Sequence, residues 1–306
     1  MSWQFLLTQV LNGVQFGLLL FLMAAGLTLV FGIMSFVNLA HGSLYMVGAY
    51  LAALAYAKSG SFWLALLAAV LGLFVLALAL DRLAFSALHR RDHLDHVLAT
   101  FGVVLFANEA MRMIFGSAPL FMDTPSALSE PVVIAGFNYP SYRGAIIVAG
   151  LLVAFGLHVL IDRTRVGMLI RAGASNRNMV SALGVNIGWL TSFIFALGAS
   201  LAGLAGAMVG PVLSIQPGMG EPVLILTLVV IVIGGIGSIR GALYGALIVG
   251  IVDTLGRGVL PGVLHMVLAP ELASAAGPAI ASVGVYVLMA AVLALKPEGL
   301  FPVRHS

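Results

Sequence analysis

The 306-residue chain has no cysteine, which excludes disulfides, thiolate metal sites and a cysteine nucleophile. Charge is nearly as scarce. Only 8% of the residues are charged, where a soluble domain carries about a quarter, so the chain lacks the polar surface that keeps a fold in water. The net charge of +3 rests on few residues and points to no nucleic-acid partner. Lysine occurs only as Lys58 and Lys296, so no G-x-x-x-x-G-K-S/T phosphate loop can be built. The run "GGIGSIRG" fails as a nucleotide fingerprint, because Arg240 stands where a third glycine should follow Gly235 and Gly237. Neither H-E-x-x-H nor G-x-S-x-G occurs. His89, His93 and His96, with Asp92 and Asp95, could offer metal ligands, but a solvated charge run explains that basic segment better. No metal site and no catalytic centre are expected. The start, MSWQFLLTQVLNG, has no basic n-region or small-residue cleavage site, so a removable signal peptide is not expected.

Hydrophobicity is what the chain does have. It is 61% hydrophobic with a mean hydropathy of +1.14, and apolar runs of about 20 residues recur along it, as in transmembrane helices. The expected class is all-α, a polytopic membrane bundle forming one transmembrane domain over residues 1–306. Spans are predicted near 10–32, 38–57, 62–81, 97–115, 144–161, 189–210, 222–238, 241–257 and 275–295. The first two could instead be one span and a broken helix near 33–45, giving eight or nine spans. Basic residues mark the cytoplasmic side: Arg82, Arg90 and Arg91, then Arg163, Arg165, Arg171 and Arg177, then Arg240, Lys296 and Arg304. The opposite side receives the loop from Gly116 to Arg143, with Arg143 its one basic residue. Glu109 with Arg112, and Asp253 with Arg257, have the spacing of self-neutralising helical pairs. Asp81 and Arg82 fall at a cytoplasmic boundary and need no special role.

Small residues at four-residue spacing let helices approach closely where lipid gives no hydrophobic drive to associate. Gly198, Ala202, Gly206 and Gly210 share one face, and Gly241 with Gly245 forms a GxxxG. Helix packing is their expected role.

Two polar stretches break the apolar pattern. In "GIMSFVNLAHGSLYM", Asn38 and His41 lie between Gly32 and Gly42 in surroundings suited to lipid. They either line a path for a polar solute or cap and tie broken helix ends, whose backbone groups must be satisfied inside a membrane. In the arginine-rich loop of about 162–188, Leu169, Ala172, Asn176, Met179 and Leu183 recur at helical spacing, and Gly184 suits a helix stop. Such a segment either lies on headgroups or inserts into a partner and transmits its motion. No strongly membrane-central carboxylate stands out for ion-gradient coupling. With no nucleotide motif, active transport would then need an external motor.

The same stretches resemble the permeases of branched-chain (hydrophobic) amino-acid ABC importers. "RTRVGMLIRAGASNRNMVSALGVNI" is similar to that family's coupling loop through Arg163, Thr164, Gly167, Arg171, Ala172, Asn176, Leu183, Gly184, Val185 and Asn186. "GLTLVFGIMSFVNLAHGSLYMVGAY" resembles its first signature, with the N-x-A-H-G core at Asn38–Gly42; "GGIGSIRGALYGA" and "KPEGLF" follow in the family's order. Two departures stand out. Gly173 and Ser175 replace residues of Ala-Val-A-x-N type, which would loosen the coupling helix, and Arg240 replaces a proline, which predicts a differently built turn.

The resemblance implies a permease subunit that binds no cofactor itself. ATP and Mg would sit on partner cytoplasmic P-loop ATPases docked at Arg163, Arg165, Gly167, Arg171, Ala172, Asn176, Leu183 and Gly184. It also implies a second permease subunit, identical or homologous, an external substrate-binding protein, and residence in a bacterial-type inner membrane. The implied cargo is a branched-chain amino acid, with urea or small amides as alternatives. A weakly held zwitterion could pass neutral groups: Asn38, His41, Gln15, and Gln216 beside the expected outer gate "SIQPGMGEP". A non-translocating membrane scaffold and a gradient-driven carrier are the rival readings.

Overall fold

Helix ends in this chain follow local capping chemistry. The computed structural model describes residues 3–34, 38–85, 93–134 and 136–302. Side-chain oxygens of Ser61, Thr164, Asn176, Asn186 and Ser238 accept from a backbone amide three residues on, each opening a helix. Gly60, at φ 64°, closes the helix before it. The helices are α1 (Trp3–Met34), α2 (His41–Ser59), α3 (Phe62–Leu80), α4 (His93–Phe115), α5 (Ser141–Arg163), α6 (Arg165–Ser175), α7 (Arg177–Ala182), α8 (Ile187–Val209), α9 (Gly220–Gly234), α10 (Ile239–Leu264) and α11 (Pro270–Leu295). A hairpin of two four-residue strands, β1 (Pro131–Ile134) and β2 (Phe137–Pro140), is added in the outer loop, paired antiparallel.

Among the described residues, seven helices are long and apolar enough to cross a membrane. Two more expected spans differ from a simple crossing. The stretch predicted at 222–238 is α9, whose 15 residues reach about 22 Å, short of a hydrocarbon core of about 30 Å. The stretch predicted at 38–57 begins its helix only at His41, inside the bundle. A break near 33–45 is present, with α1 ending at Met34 and α2 starting at His41; residues 35–37 of it lie outside the described residues. Arg90, Arg91 and Arg304 lie outside them too, as do His89, Asp92 and the side chain of His93.

Chain direction follows from cross-helix contacts. At its start α1 meets α5 and α10: Arg143 donates to Asn12 at 2.8 Å, and Gly258 abuts Gln9. At its end, Ile33 lies beside Gly173 on the arginine-rich side. α8 runs the other way. The packing partners then repeat in pairs: α1 packs on α8 and α2 on α9, α1 on α10 as α8 on α3, and α2 on α3 as α9 on α10. Units α1–α3 and α8–α10 thus follow one plan in opposite orientation, an inverted repeat of the kind transporters use.

Glycine permits these crossings. A Cβ on Gly26 would lie 2.6 Å from the Gly198 carbonyl oxygen, and one on Gly206 would lie 2.1 Å from that of Tyr45. Ala202 is fully buried on the same helix, and Gly210 faces Met122. Gly241 abuts Gly234, and Gly245 abuts the Val230 carbonyl.

The charged pairs are local. Glu109 and Arg112 meet at 2.9 Å, and Asp253 and Arg257 at 2.8 Å, with Ser282 accepting from the same guanidinium. Asp81 lies at its expected boundary, the end of α3, but is buried there. It is 2% exposed, opens a π-helical turn (Asp81–Phe85), and accepts from Ser192 of α8. Chain packing, which no local pattern encodes, buried it.

Candidate functional site

Two helix starts meet inside the bundle. His41, the first residue of α2, contacts α1 at Gly26, and Gly26 in turn touches Gly198, the midpoint of the 23-residue α8. α2 therefore begins at mid-depth. One residue on, a Cβ at Gly42 would lie 2.7 Å from the carbonyl oxygen of Gly220, the first residue of α9. Neither helix start has a side-chain cap. Two sets of first-turn amides, each with the partial positive charge of a helix N-terminus, thus converge where no fixed cation stands.

Asn38 and His41 hold this junction. The Asn38 side-chain oxygen accepts from the Ala40 amide at 3.0 Å, and its carbonyl accepts from the His41 amide at 3.2 Å. His41 Nε2 lies 3.1 Å from the Met23 carbonyl. A carbonyl only accepts, so Nε2 carries the proton and donates. Both side chains are fully buried. Asn38 Nδ2 and His41 Nδ1 have no hydrogen-bond partner among the described residues. Asn38 thus ties the turn before α2 and His41 ties α2 to α1, while each keeps one polar atom without a partner among the described residues.

The other two path candidates stand apart. Gln15 is buried on α1, but eight residues before Met23, about 12 Å along the helix. Gln216 is exposed on the segment before α9, where its carbonyl accepts from Met219. That segment is fixed by residues the sequence reading passed over. Asn108 of α4 donates to Glu221 at 2.5 Å and accepts from the Gly218 amide at 3.1 Å, while Leu120 and Ile215 exchange backbone bonds.

On the arginine-rich side, the single periodic face expected over 169–183 is two short helices. Asn176 ends α6 and caps α7. Met179 and Leu183 are 65% and 79% exposed; the buried positions are Gly167, Ile170, Gly173 and Val180. Ala172 is half-buried. Gly184, at φ 85°, stops α7 as its sequence position predicts. Gly167 is packed against the end of α5, where a Cβ would lie 2.2 Å from the Ile161 carbonyl oxygen. Gly173 has room, its nearest contact being 3.4 Å.

Asp162 organises this side, and nothing in its local spacing announced it. His158 approaches it at 2.9 Å and Arg240 at 3.0 Å, with Arg171 at 3.9 Å while also donating to the Ile161 carbonyl. Arg240, the departure from proline, thus ties the start of α10 to the end of α5. Arg163 and Arg165 are exposed. Burial lowers the pKa of Arg177 from its ordinary value, and its Nε and Nη2 have no partner among the described residues. Among those residues no group of three metal-ligating side chains occurs.

The sequence profile of the family described as "Branched-chain amino acid transport system / permease component" matches residues 9–294. The chain is 31% identical to the high-affinity branched-chain amino acid transport system permease protein LivH of Escherichia coli (strain K12) over 277 residues, 85% of this chain and 89% of that protein. It is 32% identical to the corresponding permease protein BraD of Pseudomonas aeruginosa over 274 residues, 83% and 87% of the two chains. A solved metal-chelate type ABC transporter in an inward-facing conformation is similar at 17% identity and a TM-score of 0.49, covering 93% of this chain and 85% of that one.

Proposed function

The chain belongs to the permease component family of branched-chain amino acid transport systems, and from that membership we propose that it is the membrane-spanning subunit of an ATP-driven importer of branched-chain amino acids. It is a multi-pass membrane protein and a transport component. In this reading ATP and Mg bind to separate cytoplasmic ATPase subunits. A second permease subunit completes the path, an external binding protein delivers the cargo, and the membrane is the bacterial inner membrane.

The observation that carries the reading is the junction of α2 and α9. Convergent helix starts offer amide donors to a carboxylate, and the Glu221 carboxylate in the first turn of α9 keeps an anion from being held tightly there. The orphaned Asn38 Nδ2 and His41 Nδ1 supply a further donor and acceptor at the same depth. Release of the Gly42–Gly220 contact would open the two halves around that point. α6 and α7 support the ATPase assignment: Met179 and Leu183 present exposed apolar surface, and Arg177 Nε and Nη2 have no partner among the described residues.

The deciding experiment purifies the chain from its native membrane, identifies its companions by mass spectrometry, and measures ATP hydrolysis with binding protein and leucine, isoleucine or valine. A stoichiometric P-loop ATPase and leucine-stimulated hydrolysis are expected. Stimulation by urea alone would replace the substrate class; an ATPase without any uptake would favour a scaffold.

A further inference from the structure

A cleft of about 800 Å³ opens on the arginine-rich side between α1, α5, α6 and the start of α10. Its lining is sorted by depth. Phe21, Leu29, Leu157 and Leu243 form the interior, while Asp162, Arg171, Ser238 and Arg240 stand at the mouth. On α1 the lining runs from Phe21 to Ile33, about 18 Å of helix. One leaflet of hydrocarbon is about 15 Å thick. The cleft therefore has the depth of one leaflet, with its charges at the headgroup end.

The charge at the mouth is unbalanced. Arg171 and Arg240 share the single carboxylate of Asp162, leaving one guanidinium charge in excess, and Arg240 is 72% exposed there. On α5, at the depth of the cleft-lining Ala154 and Leu157, Leu152 and Phe155 are exposed apolar residues. Thr28, Ser175 and His158 are the cleft's remaining polar lining, and Tyr244 closes one wall, stacked on Phe301.

We infer that this cleft holds an anionic phospholipid, one acyl chain lying along Leu29 and Leu157 and the phosphate at Arg240 and Arg171. Basic pockets between transmembrane helices on the cytoplasmic side favour such headgroups. A soluble anion would use the arginines but leave the leaflet-deep apolar wall unexplained. The lipid would brace the end of α5 against α6 and α10, at the segment where motion from an ATPase would enter.

The test reconstitutes the whole chain, with its native companions, into nanodiscs of equal phosphatidylglycerol and phosphatidylcholine, extracts it gently and measures retained lipid by native mass spectrometry. Retention of phosphatidylglycerol over phosphatidylcholine is expected. Arg240→Gln should lower it about fivefold, the weight of one arginine at an anionic surface, and Ala154→Phe, which fills the wall, should lower it as well. Arg112→Gln, at the far side, should leave it unchanged. Equal retention of the two lipids by the wild type would overturn the assignment, as would a preference untouched by Arg240→Gln, an exposed change that folding tolerates. Full displacement by inorganic phosphate would reduce the site to an anion site and overturn the acyl-chain part.

Discussion

Gly167 and Gly173 lie six residues apart on one short helix and answer to different physics. A methyl at Gly167 meets two backbone carbonyls of α5, at 2.2 and 2.3 Å, neither of which can swing away. Overpacking of that kind costs about 1–3 kcal/mol and would push α6 off its seat. Gly173 has only side-chain neighbours at ordinary contact distance. Gly167→Ala should therefore cut coupled transport sharply in a complex that still assembles, and Gly173→Ala should leave it near wild type. Uptake assays beside a melting curve of each variant separate the two effects. His41 gives a second contrast. His41→Ala removes the bond to Met23 and empties a buried site, so a loss of about 1–3 kcal/mol is expected, read as a lower melting temperature. Unchanged melting with abolished uptake would instead make His41 a path residue.

Asp162 shows how a helix end can hold other elements. Its partners come from α5, α6 and the start of α10, so one carboxylate joins the end of α5 and the arginine-rich segment to the second unit of the repeat. These side chains are substantially exposed, so their contribution to stability is small, under about 1 kcal/mol. Asp162→Asn is expected to leave the melting temperature within a few degrees and to weaken leucine-stimulated ATP hydrolysis. A variant with wild-type stimulation would remove Asp162 from the coupling argument. The tail makes a related point. Leu300 and Phe301 donate backbone bonds to Ile233 and Gly234, and a Cβ on Gly299 would lie 2.6 Å from Gly235. The "GGIGSIRG" and "KPEGLF" motifs, about sixty residues apart, are thus one structural unit at the α9–α10 turn.

At the scale of the whole molecule, the absence of native cysteine makes topology directly testable. Single cysteines at Gln4 and Ala127 should label from the same side of intact cells or vesicles, and one at Asn178 only from the other, because α1 starts beside α5 and ends beside α6. Labelling of Gln4 and Asn178 from one side would mean that α1 does not cross. The amino-acid sequence by itself determined the membrane class, the positions of most helices, the arginine-rich side and the family resemblance, since each rests on composition or on patterns within about twenty residues. The Gly184 stop was legible for the same reason. Tertiary structure alone decided that α2 and α9 start inside the bundle, that Asp81 is buried, and that Asn108 holds the segment before α9. It also decided that Gln15 and Gln216 stand away from Asn38 and His41. Those outcomes depend on backbones meeting across long sequence separations, as Gly42 does with Gly220. The inverted repeat left only a faint trace, two apolar stretches each interrupted by glycine and polar residues before a helix start. Opposite orientation keeps the packing plan while leaving each half free to diverge in sequence.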